Sequence, residues 1–487
     1  MPTMKYSTFD LSKSLEHFQE KVTKLLELTN IPEFDGRALK VREEKIRESA
    51  LILAGECMAL LLNNLSKSRE FLDKAMQQTK GWWHSKTKKH GSKKRQILTV
   101  GNVEVTLKLP YVVERQSSSN KNQQSLHEGF CPFLKYLGMS EGLTPGVLST
   151  VAQYGAMSSS FEAAHTTLVG WGINISLKRI ERLTYYFGQR GIDLRNNKLD
   201  DLNSGNLLIL NTLKDQRVVI AVDGGRTRIR INKKGRRRVK TNRRGFTGEW
   251  TEPKLLTIYV VDEQGKKIKT GDIPITNDGT YKGYEEFLKI LEMYLVRLGI
   301  SQAKQVLLIA DGAEWIWIHI PPLLKRLNCP DETYQLLDFY HAAEHLQKFA
   351  DAAFSTNTER QEWFKKARKT LKKGQALDLM RNMGEFILSA TGERCKTLVQ
   401  ERNYILKAYR RRLLKYNEVA LKKLPLGSGA VESLIRQVVN LRMKGNGKFW
   451  LKNHAEIMLH LRCQWIAGSW DNFCDSFFYS FTKPKTA

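Results

Sequence analysis

Paired cysteines are what this 487-residue sequence lacks first. Its six cysteines, Cys57, Cys131, Cys329, Cys395, Cys463 and Cys474, are scattered, and no two form a CxxC pair. That argues against a disulfide framework or a cysteine-built zinc module and fits a reducing compartment. No uninterrupted apolar run reaches the roughly 18 residues of a bilayer span. No signal-peptide pattern follows Met1, where MPTMKYSTFDLSK is polar and mixed. The expectation is a soluble, cytoplasmic protein without a membrane partner. Acids are also scarce: 50 Asp+Glu stand against 79 Lys+Arg, a net charge of +29. Such an excess says nothing of fold but predicts a polyanionic partner, nucleic acid. Hydrophobic residues make up 41%, enough for packed cores. The length suits several domains of about 100–200 residues each.

Residues 1–90 read as a helical region, with apolar residues at three and four spacings from about Phe9 to Gln78, as in ALILAGECMALLLNNL. A basic stretch, HSKTKKHGSKKR, runs from His84 to Arg95. Residues 91–130 read as a β-hairpin turning at Gly101-Asn102, followed by the polar linker RQSSSNKNQQS. Residues 131–200 are helical. Thr144-Pro145 places a cap before proline at the first helical position, Ser159 with Glu162 forms a capping box, and Ser176 caps a third helix. The Gly170-Trp171-Gly172 turn makes the last two helices resemble a helix-turn-helix. Ile180, Leu183 and Phe187 form the apolar stripe of the third helix, leaving Lys178, Arg179 and Arg182 on other faces as candidate DNA contacts. The alternative is a plain helical bundle.

From Arg217 the rhythm changes. VVIAVD, LLTIYVVD (Leu255 to Asp262) and KIKTGDIPI (Lys267 to Ile275) read as strands joined by short turns. A helix ending at Gly299, the strand VLLIAD, a short helix containing WIWIHI, and the strand YQLLDF follow. Early hairpins and later helical crossovers predict a mixed sheet. The order over 201–340 is that of a ribonuclease-H-like α/β core. Residues 341–425 read as a helical insertion, broken by Pro425 and Gly427-Ser428-Gly429, and 426–487 as C-terminal helices.

Asp223 and Asp311 each end an apolar strand and each precede a glycine. In open α/β sheets that edge is where ligands bind, and glycine lets backbone or phosphate approach closely. Glu432 falls near the start of a helix striped by Val431, Leu434, Ile435 and Val438, at the margin of its buried face. Three gathered carboxylates repel: a pair roughly 4 Å apart costs about 4 kcal/mol at an effective dielectric of about 20. Divalent Mg²⁺ or Mn²⁺ removes that cost, and two such ions about 3.5–4 Å apart serve phosphodiester chemistry. The bland readings are a turn aspartate and a glutamate paired with Arg436.

Between the first two strands stand eleven bases and no acid: Arg226, Arg228, Arg230, Lys233, Lys234, Arg236, Arg237, Arg238, Lys240, Arg243 and Arg244. Beside Asp223 this reads as a phosphate-binding arm rather than a solvated charge run. His341, in Asp338-Phe339-Tyr340-His341, lies at the same rim, either orienting a phosphate or bonded locally beside Glu344.

The segments VDGGR, ADGAEWIW, LLDFYHAAEHL and GSGAVES…VVNLRMKGNGKFW…AEIMLHLR resemble bacterial insertion-sequence DDE transposases, nearest the ISKra-type group and more distantly the Mutator-like ones. The resemblance covers roughly Val218 to Trp470. It implies a ribonuclease-H-like core with a helical insertion, preceded by a mainly helical region with a β-hairpin. It implies catalytic, metal-ligating Asp223, Asp311 and Glu432, and it places the Asp-x-x-His motif of Mutator-like relatives on Asp338 and His341. It further implies Mg²⁺-dependent cleavage at element ends and strand transfer into target DNA. The partner is double-stranded DNA, held by a homodimer in the nucleoid, and terminal inverted repeats flank the gene. Relatives often carry a cysteine-rich zinc element; here only His84 and His90 stand in that stretch. Alternatives are a structure-selective nuclease on the same core and a DNA-binding protein that no longer cuts.

Overall fold

A computed structural model describes residues 4–6, 10–27, 34–80, 87–114, 129–235, 245–268 and 275–480. The chain divides into two compact units, Met1–Leu194 with Asp471–Ala487, and Arg195–Trp470.

The first unit contains β1 (Met4–Tyr6), α1 (Leu11–Leu26), α2 (Gly36–Lys67), α3 (Arg69–Gln78), β2 (Thr87–Leu98), β3 (Val103–Glu114), α4 (Pro132–Tyr136), α5 (Pro145–Met157), α6 (Phe161–Gly170) and the start of α7 (Leu177–Asn203). β2 and β3 form the expected hairpin. Its turn works because Gly101 (φ 70°) and Asn102 (φ 59°) adopt left-handed backbone, which these two residues tolerate best. Val103, Val105, Leu107 and Leu109 alternate into the core, where α2 lies against the hairpin. β2 begins at Thr87, so most of the basic stretch, including His90, is an exposed strand; His84 and the Arg115–Ser125 linker lie outside the described residues. β1, parallel to β3, escaped the sequence reading because three residues carry no period.

Two expectations need correction here. The cap of α6 is Ser160, whose Oγ accepts from the Ala163 amide at 3.1 Å, so the predicted box at Ser159 was one residue out of register. α7 continues past Gly191 to Asn203. The middle of α2 is long and apolar enough, by length and composition, to cross a membrane. Glu56 interrupts that stretch, so no uninterrupted apolar run is present in it. Its Gly55, Ala59 and Leu62 are buried, with Gly55 so close to the hairpin turn that a Cβ would lie 2.0 Å from the Val100 carbonyl oxygen.

The second unit holds β4 (Arg217–Gly224), β5 (Thr227–Asn232), β6 (Phe246–Thr251), β7 (Lys254–Val261), β8 (Thr276–Thr280), α8 (Tyr284–Leu298), β9 (Gln305–Ala310), α9 (Glu314–Arg326) and β10 (Thr333–Leu337). Five strands make one mixed sheet in the order β10-β9-β4-β7-β8, with β10, β9 and β4 parallel and β7 antiparallel to both its neighbours. This mixed α/β architecture is compatible with a nuclease-like core. Helices α10 (Phe339–Ala353), α11 (Asn357–Lys372), α12 (Ala376–Leu388), α13 (Gly392–Arg410) and α14 (Tyr416–Leu421) follow. Then come α15 (Gly429–Ile435), a π-helical turn at Arg436–Asn440, and α16 (Lys452–Ile466). Of the basic segment after β4, Thr227–Asn232 is the strand β5, which pairs antiparallel with β6 as a two-stranded ribbon; 236–244 lie outside the described residues.

The third strand of the sheet is Thr276–Thr280, just beyond the predicted Lys267–Ile275, of which 269–274 lie outside the described residues. Its sequence, TNDGT, is poor in strand formers, which is why pattern reading passed over it. What buries it is a charged cluster. Asp278, fully buried, accepts from Arg195 Nη1 at 3.1 Å, Tyr294 Oη at 2.9 Å and the Gly279 amide at 2.8 Å, and meets His460 Nδ1 at 3.1 Å. Arg195 Nη2 also bonds Glu456 at 2.9 Å, and Glu456 accepts the Tyr281 amide at 2.7 Å. Burial alone would raise the Asp278 pKa; Arg195 and then His460 outweigh it and hold the carboxyl well below its usual range.

A carboxylate depressed in this way stabilises the fold above its unfolded value, near pH 4, and loses that contribution as pH falls below it. Asp278→Asn should therefore cost about 3 kcal/mol at neutral pH. In thermal melts across pH, the gap from wild type should narrow only below about pH 4; a gap constant with pH would show that shape, not charge, is lost.

Candidate active site

β4 and β9 are parallel neighbours, with Val222 opposite Ala310. The next residues therefore lie side by side at one rim of the sheet, Asp223 still paired with Leu255 of β7 and Asp311 just past the end of β9. The strands that carry them are anchored by Val218–Val222 and Val306–Ala310, all fully buried. The Asp223 Oδ1 accepts the Gly224 amide at 2.6 Å, and the Asp311 Oδ1 accepts the Ala313 amide at 2.9 Å. Trp317 Nε1 donates to the Asp311 carbonyl at 2.7 Å, tying α9 to the strand end. α15 packs on β4 and β7, and Gly225 allows it: a Cβ there would come within 3.3 Å of Val439 and Ile435.

Asp338 joins the remaining pieces. Fully buried at the end of β10, its Oδ1 accepts the Tyr340 amide at 2.6 Å and the His341 amide at 3.0 Å, capping α10. Its Oδ2 accepts the Ser428 amide, which begins the turn into α15. The same carboxylate thus sets His341 and the segment carrying Glu432. Ser428 Oγ bonds Glu432 Oε1 at 3.3 Å, and His341 Nε2 stands 4.0 Å from that oxygen. The sequence placed Asp338 in a motif, but its grip on Ser428, ninety positions away, has no local signature.

The four predicted residues share one electrostatic field. Burial, and after it the charges of Asp311 and Glu432, push the Asp223 carboxyl up to about 7, against the opposing Gly224 amide and His341. His341 Nε2 is buried and has no hydrogen-bond partner. Among the described residues, no Lys or Arg lies within 4 Å of the carboxylates of Asp223, Asp311 or Glu432; their one ion-pair partner is His341. Also among them, no three His, Cys, Asp or Glu side chains form a preassembled metal cluster. The donor set is nevertheless of the hard-oxygen kind that suits Mg²⁺ or Mn²⁺, with its charge uncompensated. Glu432 remains half exposed, at 47%, so its carboxylate is the arm free to adjust.

The proposed DNA contacts divide. Arg226, Lys233 and Lys234 are exposed, and Arg228 and Arg230 half-buried on β5. Arg236, Arg237, Arg238, Lys240, Arg243 and Arg244 lie outside the described residues. In the other unit Lys178 is exposed. Arg179 donates to the Glu141 carbonyl at 3.0 Å and Arg182 pairs with the Glu141 carboxylate.

One residue of the helical insertion reaches the site and was not singled out from sequence. The Tyr404 ring packs on Gly312, where a Cβ would lie 2.5 Å from its Cε2. It stacks on His345 with centroids 3.5 Å apart, and His345 Nδ1 is 2.5 Å from Glu401. Burial and then Asp311 raise the Tyr404 phenol well above its usual range. The ring cannot retreat, so Gly312→Ala should destabilise by about 1–3 kcal/mol. Denaturant unfolding of Gly312→Ala, Tyr404→Ala and the double variant checks this; strictly additive losses would mean the two positions do not meet.

No protein-family model matches the chain, and no curated protein matches it. Among solved structures it is similar to the Drosophila P element transposase strand transfer complex. The identity is 10%, over 75% of this chain and 83% of that chain, with a TM-score of 0.23, too low to fix fold or function.

Proposed function

We propose that the chain is a DDE transposase with a ribonuclease-H-like core, cutting DNA at element ends and joining them to target DNA. The observation that carries this is the convergence of Asp223, Asp311, Glu432 and His341 without a cationic partner, in a chain of net charge +29. A protein this basic has Lys and Arg to spare for any acid that needs only neutralising. The strand order β10-β9-β4-β7-β8, with Asp223 on the central strand and Asp311 beside it, supports the core assignment.

Asp223, Asp311 and Glu432 would hold two Mg²⁺ or Mn²⁺ ions, which when bound offset carboxylate repulsion and assist attack on phosphorus. The aspartates would fix position from buried strand ends, and Glu432 would complete the set from a half-exposed side chain. His341, whose backbone N–H donates to Asp338 Oδ1, would present Nε2 for a hydrogen bond to the scissile phosphate. No protein nucleophile is required. Arg226, Arg228, Arg230, Lys233 and Lys234 would hold phosphates beside Asp223, with the α6–α7 region a second DNA contact. Two ends handled together imply a homodimer on DNA, acting in the cytoplasm at the nucleoid.

The test places the gene's flanking DNA around a marker on a donor plasmid and sequences junctions in cells with wild type or Asp311→Ala. Junctions should appear with wild type alone. In vitro, cleavage should need Mg²⁺ or Mn²⁺ and fall in Asp311→Ala by more than the about 100-fold typical of outer-shell ligand partners. Cleavage without joining would indicate the nuclease; DNA binding by both proteins without cutting would indicate a binding protein only.

A further inference from the structure

We infer that the β5–β6 ribbon is a stacking platform for unpaired nucleotide bases of DNA, placed to hold a melted strand end beside Asp223. It rests on the DNA chemistry proposed for that site.

One face of the ribbon alternates guanidinium and ring. Arg228 lies directly across from Trp250 and 4.8 Å from its ring centroid. Arg230 lies across from Gly248 and 4.5 Å from the Phe246 ring. Phe449, from the loop before α16, fills the space above Gly248, where a Cβ would come within 2.4 Å of its Cε1. Phe449 in turn meets Phe246 at 5.1 Å and Arg228 at 5.6 Å. An isolated parallel bridge fixes the loop to β5, with Arg230 N donating to Trp450 O at 2.7 Å and Trp450 N to Arg228 O at 3.0 Å.

Cross-strand Arg–aromatic pairs are ordinary sheet stabilisers. A ribbon that needed only to fold would cover its rings, yet Trp250 is 53% and Phe246 40% exposed. Neither Arg228 nor Arg230 has a carboxylate within 4 Å among the described residues. Arg226, Lys233 and Lys234, exposed along the same strand and its turn, supply phosphate contacts. Flat rings recognise base faces, which a duplex covers by stacking and an unpaired strand presents. Duplex reading would call instead for polar groups aimed at base edges. The ribbon leaves β4 at Gly225 and returns where Lys254 pairs with Gly224, so its stem adjoins Asp223.

Fluorescence anisotropy of the full chain with a blunt duplex and with the same duplex carrying a short unpaired end tests this. Wild type should bind the frayed DNA about tenfold tighter, one stacked base's contribution. Trp250→Ala with Phe246→Ala should bind both DNAs alike, with blunt-duplex affinity and salt slope unchanged; Trp250→Phe should keep most of the preference. Equal wild-type affinity for the two DNAs, or equal weakening on both in the double variant, overturns the inference. If the double variant unfolds early, Trp250→Leu, which keeps bulk without a π face, decides by the same criterion. Asp311→Ala should keep the preference. A preference without any metal-dependent cutting would remove the catalytic reading alone; cutting without a preference would remove this one alone.

Discussion

The Asp338 carboxylate is the constraint on which the site depends. It is fully buried, yet three backbone amides, Tyr340, His341 and Ser428, share its two oxygens. Each bond answers a demand of its own: two satisfy donors at the exposed end of α10, and one closes the turn before α15. Together they bring the end of β10 and the Glu432 segment to the edge where β4 and β9 release Asp223 and Asp311. Removing that carboxylate leaves the buried Ser428 amide and the two part-buried amides of α10 without their acceptor.

Charge is distributed against the average. The chain carries 29 more positive than negative charges, yet the cationic partners of its buried acids are concentrated elsewhere, on Asp278 and Glu456 through Arg195. There Arg195 and His460 supply the counter-charge that permits a strand of Asn, Asp and Gly to be buried. At the strand ends it is withheld, and burial with mutual repulsion raises Asp223 instead. Acids of the same type are thus held ionised where a cation meets them and pushed towards the neutral form where burial and other acids do.

Much of this was legible from sequence because it is local. Asp223 and Asp311 stand where apolar runs stop, and a strand's end follows from its own residues. The Gly101-Asn102 turn, Pro145 at a helix start and Gly299 at a helix stop are likewise short-range chemistry. The misreadings have physical reasons too. Ser159 and Ser160 offer the same hydroxyl, and only the path of the chain chooses between them. The strand Thr276–Thr280 has a centre of Asn, Asp and Gly, all poor strand formers, and is held instead by Arg195, 83 positions before Asp278. The basic segment after β4 read as a phosphate-binding arm alone, because its aromatic partners, Phe246, Trp250 and Phe449, lie outside it.

The sequence by itself determined the inventory: strands ending in aspartate, a glutamate opening a late helix, a basic excess, and no cysteine pairs. These are matters of composition and periods of two or 3.6 residues, which each segment carries alone. Only the tertiary structure decided that Asp223 and Asp311 are register neighbours, that Asp338 reaches Ser428, that Tyr404 stands against Gly312, and that the arginines of β5 lie over exposed rings. Those contacts join segments tens to hundreds of residues apart, and no local propensity encodes them; packing and the satisfaction of buried polar groups select them from many pairings the sequence allows.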